Sequence, residues 1–359
     1  MAPHVDAPRA GGERGFPIWL SPAERLRVLL AYAVQAPSRH NSQPWLFDVA
    51  GAEVRIATDA RRALPHADPS GRQRVMACGA AIENLCIAAA AYGQATSVEI
   101  LAGVHPEGVL ARVRLEEHRR ADGAEEALFR AIAQRRTSRA AFAERPAPAG
   151  LVATLAREAS ERGASLRAVD EGCRAAVAEL IMEADRAQWS DRAFVAELDA
   201  WSRPTSGMHG DGVPPEARGR ASPESRLDRL LLRLRTPRRA TEEERRDRQY
   251  ALHGPVLVAL STPGDAARDW VAAGRAFQRV LLLAASAGMS ASGFSAVVEV
   301  PDVRTRLRAA LGEVANPQVV FRLGYATSEP RPTPRRSVDE VLRYYGNDAP
   351  PHALAVRES

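Results

Sequence analysis

The apolar positions of this chain fall into a few runs separated by polar and Pro-rich breaks. LRVLLAYAV (26–34) is an apolar run ahead of a polar turn, and LFDV (46–49) beyond that turn reads as a strand. AEVRIAT (52–58) is a second strand candidate, followed by GAAIENLCIAAAAYG (79–93), apolar at nearly every interior position. A helix that is apolar almost all round is a buried one, and Gly at its end is a C-cap. After a Pro-containing stretch comes the β-branched run VLARVRLEE (109–117), then a helical segment, AEEALFRAIA (124–133).

The pattern then recurs. PVLVALST (255–262) precedes GRAFQRVLLLAASAG (274–288), and PQVVFRLGY (317–325) follows it. Both apolar helices open and close with Gly at the same spacing. Both carry one polar pair at the same place, Glu83-Asn84 and Gln278-Arg279. The order strand, buried helix, strand thus occurs twice. It predicts an α+β fold of two pseudo-symmetric halves, fused in one chain around long buried central helices. The halves are expected at 21–125 and 126–345, flanked by an arm (1–20) and a tail (346–359). An insertion at 201–247 interrupts the second. Its first part is rich in Gly and Pro, and its second carries the amphipathic LDRLLLRLR. An insertion of this length is a lid, a binding loop or a flexible surface loop. For a lid, Gly207, Gly210 and Gly212 would supply hinges.

Composition narrows the chemistry. With 45% apolar and 26% charged residues, the 359-residue chain has the balance of a soluble globular protein. No run approaches the length needed to span a bilayer, and the first residues show no apolar targeting segment, so a cytoplasmic protein is expected. Cys78, Cys86 and Cys173 lack metal-site spacing and read as reduced core residues. Every basic residue is Arg, with no Lys anywhere. That excludes Schiff-base, pyridoxal and P-loop chemistry, all of which need a lysine. Any anion site must then be built from Arg, which suits planar, bidentate phosphate recognition. The net charge is +5, with Arg interleaved among acids as in TEEERRDRQ. Such runs are solvated helix faces, so nucleic acid is not an expected partner.

Three polar stretches remain. APSRHNSQPW (36–45) joins the first apolar run to its strand with two prolines, two side-chain amides, two serines, a His and a Trp. It is either a turn held down by a buried Trp or the lining of a pocket. QRRTSRAAF (134–142) brings Arg135, Arg136 and Arg139 together with the hydroxyls of Thr137 and Ser138. Guanidinium groups so crowded repel one another unless an anion lies among them, and a phosphate monoester is a natural guest. RPTPRRSVDEVL (331–342) adds Arg335 and Arg336.

Together these stretches resemble the FMN-dependent nitroreductase superfamily over roughly residues 20 to 345, in particular its fused, Acg-type branch. The resemblance rests on the APSxxNxQPW turn, the paired Gly-ended helices, RRTSR and the terminal PRRSVDEV. In ordinary members two identical chains dimerise with flavin at their interface; here the repeat implies both half-dimers in one chain. The resemblance implies FMN, with its phosphate held by Arg135, Arg136, Thr137 and Arg139 and assisted by Arg335 and Arg336. Pro37, Ser38 and Asn41 would touch the flavin, and Ala291, Ser292 and Gly293 would pass its ring edge. At those last three the sequence departs from the family's pattern. Gln43 and Trp45 would support the turn, and His40 is open between an acid and a solvent-facing loop residue. The first half carries the turn and the second the arginine-hydroxyl cluster, so one composite site per chain is expected.

The resemblance further implies an oxidoreductase in which a bound flavin takes hydride from NAD(P)H and passes electrons to a nitroaromatic, quinone or similar acceptor. No GxGxxG follows a strand, so the nicotinamide donor would share the acceptor's slot. No protein acid or base is required, which fits the lack of a His/Asp pair. Two alternatives stand beside it: a protein that holds FMN under a lid with little turnover, and a chain without flavin that serves in interaction. A monomer mimicking a homodimer is the expected assembly, with further dimerisation open.

Overall fold

A computed structural model of the chain describes residues 15–17, 19–103, 108–118, 122–202, 210–214 and 237–346, with side chains in the last segment from 244 onward. The arm up to 14, the tail from 347, and 203–209 and 215–236 of the insertion lie outside the described residues. These include Gly207 and LDRLLLRLR.

The first half runs α1 (Pro22–Ala33), β1 (Trp45–Ala50), β2 (Glu53–Thr58), α2 (Arg72–Ala91), β3 (Gln94–Ile100) and β4 (Val109–His118). Then α3 (Gly123–Gln134) leads into α4 (Leu151–Ser160), β5 (Ser165–Ala168), α5 (Glu171–Ser190), α6 (Arg192–Ala200) and α7 (Pro237–His253). The second half closes with β6 (Val256–Thr262), α8 (Ala267–Ser286), β7 (Ser290–Phe294), α9 (Ala296–Glu299), α10 (Pro301–Ala310), β8 (Asn316–Gly324), α11 (Val338–Val341) and β9 (Leu342–Gly346).

The two sheets have matching order. One reads β3-β4-β2-β1-β9, and the other, taken from its opposite edge, β7-β8-β6-β5. Every pairing shared by the two is antiparallel. Two features break the symmetry. β1 and β2 are joined by two residues, whereas 169–255, containing α5, α6 and α7, separates β5 from β6, so the insertion at 201–247 is part of a longer interruption. Also, β9 crosses from the end of the second half to pair in parallel with β1 of the first. The halves are therefore tied by backbone as well as by packing.

The central helices begin a full two turns before the expected 79 and 274, so the opening glycines lie inside them. Gly79 and Gly274 mark the place where α2 and α8 cross. A β-carbon on Gly79 would stand 3.1 Å from the Gly274 Cα and strike the Val271 carbonyl oxygen; one on Gly274 would strike the Met76 carbonyl. The closing glycines, Gly93 and Gly288, both have φ 74° and end the helices as expected. The repeated polar pairs also meet at this contact. Buried Gln278 donates its amide to Asn84 Oδ1 at 2.7 Å, and Asn84 in turn donates to the Tyr32 carbonyl at 3.0 Å. Glu83 accepts from Arg275 of α8 and Arg162.

By length and mean hydropathy (1.4), α2 could cross a membrane, contrary to the reading that no run approaches that length; 83% of its apolar window is buried inside the fold. It is a core helix, packed between sheet and partner helix.

Candidate functional site

The turn after α1 is held in an uncommon backbone conformation. His40, Asn41 and Gln43 have φ of 51°, 54° and 51°, in the left-handed region. Each such non-Gly residue costs about 1–3 kcal/mol and persists only where its surroundings fix it. Its amides supply that fixing. Ser38 Oγ accepts from the Gln43 amide nitrogen at 2.9 Å. The Asn41 side chain donates to the carbonyls of Gly212 (2.9 Å) and Pro334 (3.0 Å) and accepts from Arg335 at 3.1 Å. Fully buried Gln43 donates to Gly210 O at 2.7 Å and accepts from the Arg336 amide at 2.9 Å. Trp45 is wholly buried at the start of β1. The turn (36–45) thus gathers two distant segments, 210–214 and 331–336.

The arginine-hydroxyl stretch arrives from the C-terminal end of α3. It is laid along β7 and β8 of the second half: Thr137 bridges Ala291, and the Ser138 amide donates to the Ala291 carbonyl at 3.1 Å. Arg322 of β8 fastens the following residues. Its guanidinium is 1% exposed, donates to Ala140 O at 2.7 Å, and lies between the rings of Phe142 and Tyr250, 4.3 and 4.0 Å from their centroids.

Turn and stretch face each other across two adjoining cavities. The larger, ≈ 590 Å³, holds Asn41, Arg135, Arg136 and Arg335 in its wall. The smaller, ≈ 320 Å³, is lined by Met76, Ala80, Phe277, Ser292 and Gly293, and beyond them by Trp189 and Phe194. Pro37, Ser38, Thr137, Arg139 and Val213 line both, so the two form one elongated site. Its volume is that of a small-molecule or cofactor pocket. Val213 belongs to the described part of the insertion and stands at the junction.

Charge in the larger cavity is unbalanced. Among the described residues no Asp or Glu lines it. Burial, and then the neighbouring Arg136, push the Arg135 guanidinium down to about 10; burial, with Arg135 and Arg136 beside it, pushes Arg335 down to about 9. A guanidinium keeps its proton at neutral pH, so this cost is expressed as affinity for an anion rather than as proton loss. Arg135 is 8% exposed, and its Nε is buried without a hydrogen-bond partner among the described residues.

Known proteins resemble this chain over most of its length. Over 333 residues the chain is 30% identical to the Mycobacterium tuberculosis protein named "Putative NAD(P)H nitroreductase Rv3131", covering 90% of this chain and 92% of the relative. It is 28% identical over 334 residues to "Putative NAD(P)H nitroreductase acg" of the same organism, covering 90% and 96%. The chain belongs to this Acg-like nitroreductase family. No family model matches it. Among solved structures, the FMN-dependent nitroreductase NfnB from Mycobacterium smegmatis, in complex with NADPH, is 20% identical with a TM-score of 0.41, and the match covers 62% of this chain and 99% of that one.

Of the twelve residues singled out in the sequence, the fold brings ten to the cavity walls: Pro37, Ser38, Asn41, Arg135, Arg136, Thr137, Arg139, Ser292, Gly293 and Arg335. Two are elsewhere. Ala291 backs Thr137 through the bridge between them. Arg336 is buried and donates to Gln43 O and Glu340 O, bracing the turn from behind. Arg136 lines the cavity, yet its guanidinium folds onto the carbonyls of Ala133 and Arg135 at 2.7 and 2.9 Å. His40 lines the smaller cavity.

Sequence reasoning missed the floor and far wall of that cavity. Gln73 and Gln318 line the floor. Behind them buried Arg72, from the first half, pairs with Glu299 of the second, which also accepts from Gln73 at 2.6 Å. Burial drives Glu299 upward, and Arg72 opposes this. The far wall, Trp189 and Phe194, comes from α5 and α6, with rings 6.2 Å apart at 80°. The one local hint was EADRAQWS, whose Trp ends a helix otherwise rich in exposed charge.

Proposed function

We propose that this chain is an FMN-dependent NAD(P)H oxidoreductase with one composite flavin site per chain. The observation that carries the reading is Arg135: a buried guanidinium, unpartnered at Nε among the described residues, in a wall assembled from both halves whose described residues include no carboxylate. The names of the relatives and the NADPH complex of NfnB support it.

FMN fits the donor set. Arg135 and Arg335 would hold the phosphate, with Thr137 and Arg139 beside them at the junction. Pro37, Ser38 and Val213 would border the middle of the ligand, and Ser292 and Gly293 the ring. When bound, FMN supplies two-electron exchange between a reduced nicotinamide and an acceptor such as a nitroaromatic or quinone. The chain's own residues bind and orient. Phe277, Trp189 and Phe194 exclude water from the smaller cavity, which strengthens the electrostatic contacts inside it. The three left-handed residues of the turn hold its polar atoms in place before any ligand arrives. Donor and acceptor would use this one slot in turn, so the kinetics would be ping-pong. A monomer in the cytoplasm is the matching assembly and location, because the fused halves already bury the α2–α8 contact.

The test is direct. The purified protein should be yellow, release one FMN per chain, and bleach rapidly with NADPH under anaerobic conditions. A colourless protein that cannot be loaded with flavin, or a ratio near two per chain, would overturn the proposal. A yellow protein that NADPH does not bleach would favour flavin storage.

A further inference from the structure

The larger cavity is rich in positive charge, and among the described residues no carboxylate lines it. Six arginines line it: Arg130, Arg135, Arg136, Arg139, Arg331 and Arg335. A phosphate monoester brings about −1.5 to −2 at neutral pH. The arginines also stand at different depths. Arg135 is buried and Arg335 half-buried, close to Asn41, whereas Arg130 on α3 and Arg331 ahead of α11 are exposed at the mouth. Elsewhere in the fold arginines are paired with carboxylates, as Arg304 is with Asp265 and Arg306 with Glu183. Neither Arg130 nor Arg331 forms an ion pair with any described residue, although Glu126 lies one helical turn from Arg130. The same cavity offers an apolar wall, where Tyr32 and Phe129 lie 4.8 Å apart between ring centroids.

We infer that Arg130 and Arg331 hold a second phosphate group, outside the one taken by Arg135 and Arg335, so that this cavity recognises dinucleotide phosphates. The inference rests on the flavin reading of the site. Arg recognises phosphate by charge-assisted, bidentate bonds, and two exposed guanidiniums without carboxylates keep their full donor capacity for a ligand. Tyr32, partly exposed beside buried Phe129, gives this cavity an apolar side. Two ligands carry such a group: a flavin that is itself a dinucleotide, or the nicotinamide dinucleotide that reduces a mononucleotide flavin.

The double variant R130Q/R331Q separates these sources, and neither residue belongs to the inner phosphate contact. The flavin released from the wild-type holoprotein is identified by chromatography, its retention is compared with that of the variant, and NADP+ and NAD+ are titrated onto both oxidised holoproteins. A dinucleotide flavin retained at least threefold less well by the variant assigns the outer arginines to the cofactor. Released FMN, with NADP+ or NAD+ bound at least threefold more weakly by the variant, assigns them to the nicotinamide nucleotide. Changes smaller than threefold in both retention and nucleotide affinity would overturn the inference while leaving the flavin site intact. Failure of the wild type to bind any flavin would instead overturn the reading on which it rests.

Discussion

Gly79 and Gly274 face each other where the two central helices cross, 195 residues apart in sequence and in backbone contact in the fold. Replacing an interior helix glycine by alanine ordinarily stabilises by about 0.5–1 kcal/mol. Here the sign should reverse. A β-carbon at Gly274 would meet the Met76 carbonyl carbon at 2.7 Å, and backbone atoms cannot turn aside as a side chain can. Gly274→Ala should cost about 1–3 kcal/mol or more, as overpacked cores do. A urea midpoint equal to or above wild type would show that the helices can part freely.

Arg135 should behave oppositely for stability and for binding. Arg135→Met removes a buried, unpartnered charge and keeps the volume, so the apo protein should be unchanged or more stable by about 1 kcal/mol. Flavin affinity should fall by more than tenfold with loss of the charge-assisted contact. Thermal melts with and without FMN read both at once. Lower apo stability with undiminished flavin binding would mean that Arg135 is a packing residue.

Gln43→Ala would remove the amide that joins the turn to Gly210 O and to the Arg336 amide. Leaving those buried groups unsatisfied should cost about 1–3 kcal/mol. The left-handed residues beside it would lose part of their support, so flavin should also be bound more weakly. A variant as stable as wild type, with unchanged flavin retention, would place the rigidity of the turn elsewhere.

Arg322→Lys tests the clamp on the arginine-hydroxyl stretch. Lysine keeps the charge but loses the planar group that lies between Phe142 and Tyr250 and reaches Ala140 O. Loss of about 2 kcal/mol is expected from cation–π contacts of this kind, along with weaker flavin binding. Hydrogen exchange at 137–143 should quicken. Unaltered exchange there would show that the stretch is held without Arg322.

Asp265 sets an acid limit. Burial would raise its pKa, but hydrogen bonds from Arg304, Trp270 and Gln318 outweigh that and hold the carboxyl well below the usual range. A lowered folded-state value gives stability that is complete above the unfolded value of about 3.9 and is lost as pH falls through the folded one. Because the carboxylate is about a third exposed, solvent screening limits the effect to about 1 kcal/mol. Asp265→Asn should therefore lose that amount at pH 7 and show a flatter stability profile below pH 4. A profile parallel to wild type would remove Asp265 from the acid transition.

The amino-acid sequence by itself determined the local facts. Apolar runs and closing glycines set the central helices and their ends at Gly93 and Gly288, because caps and hydrophobic stripes are short-range patterns. Matching polar pairs announced two related halves, and the crowding of Arg135, Arg136 and Arg139 raised the expectation of an anion. Tertiary structure decided whatever depends on partners far along the chain. Gly79 and Gly274 looked like helix starts; only the crossing of α2 and α8 makes them a backbone contact. Arg335 and Arg336 are adjacent in sequence, yet one lines the cavity and the other braces Gln43, since successive side chains in extended backbone point to opposite sides. Arg322 and Phe194 carried no local signal and Trp189 only a faint one, because their surroundings come from strands and helices that meet only when the chain closes. Side-chain periodicity records which face is buried, and it does not record against what.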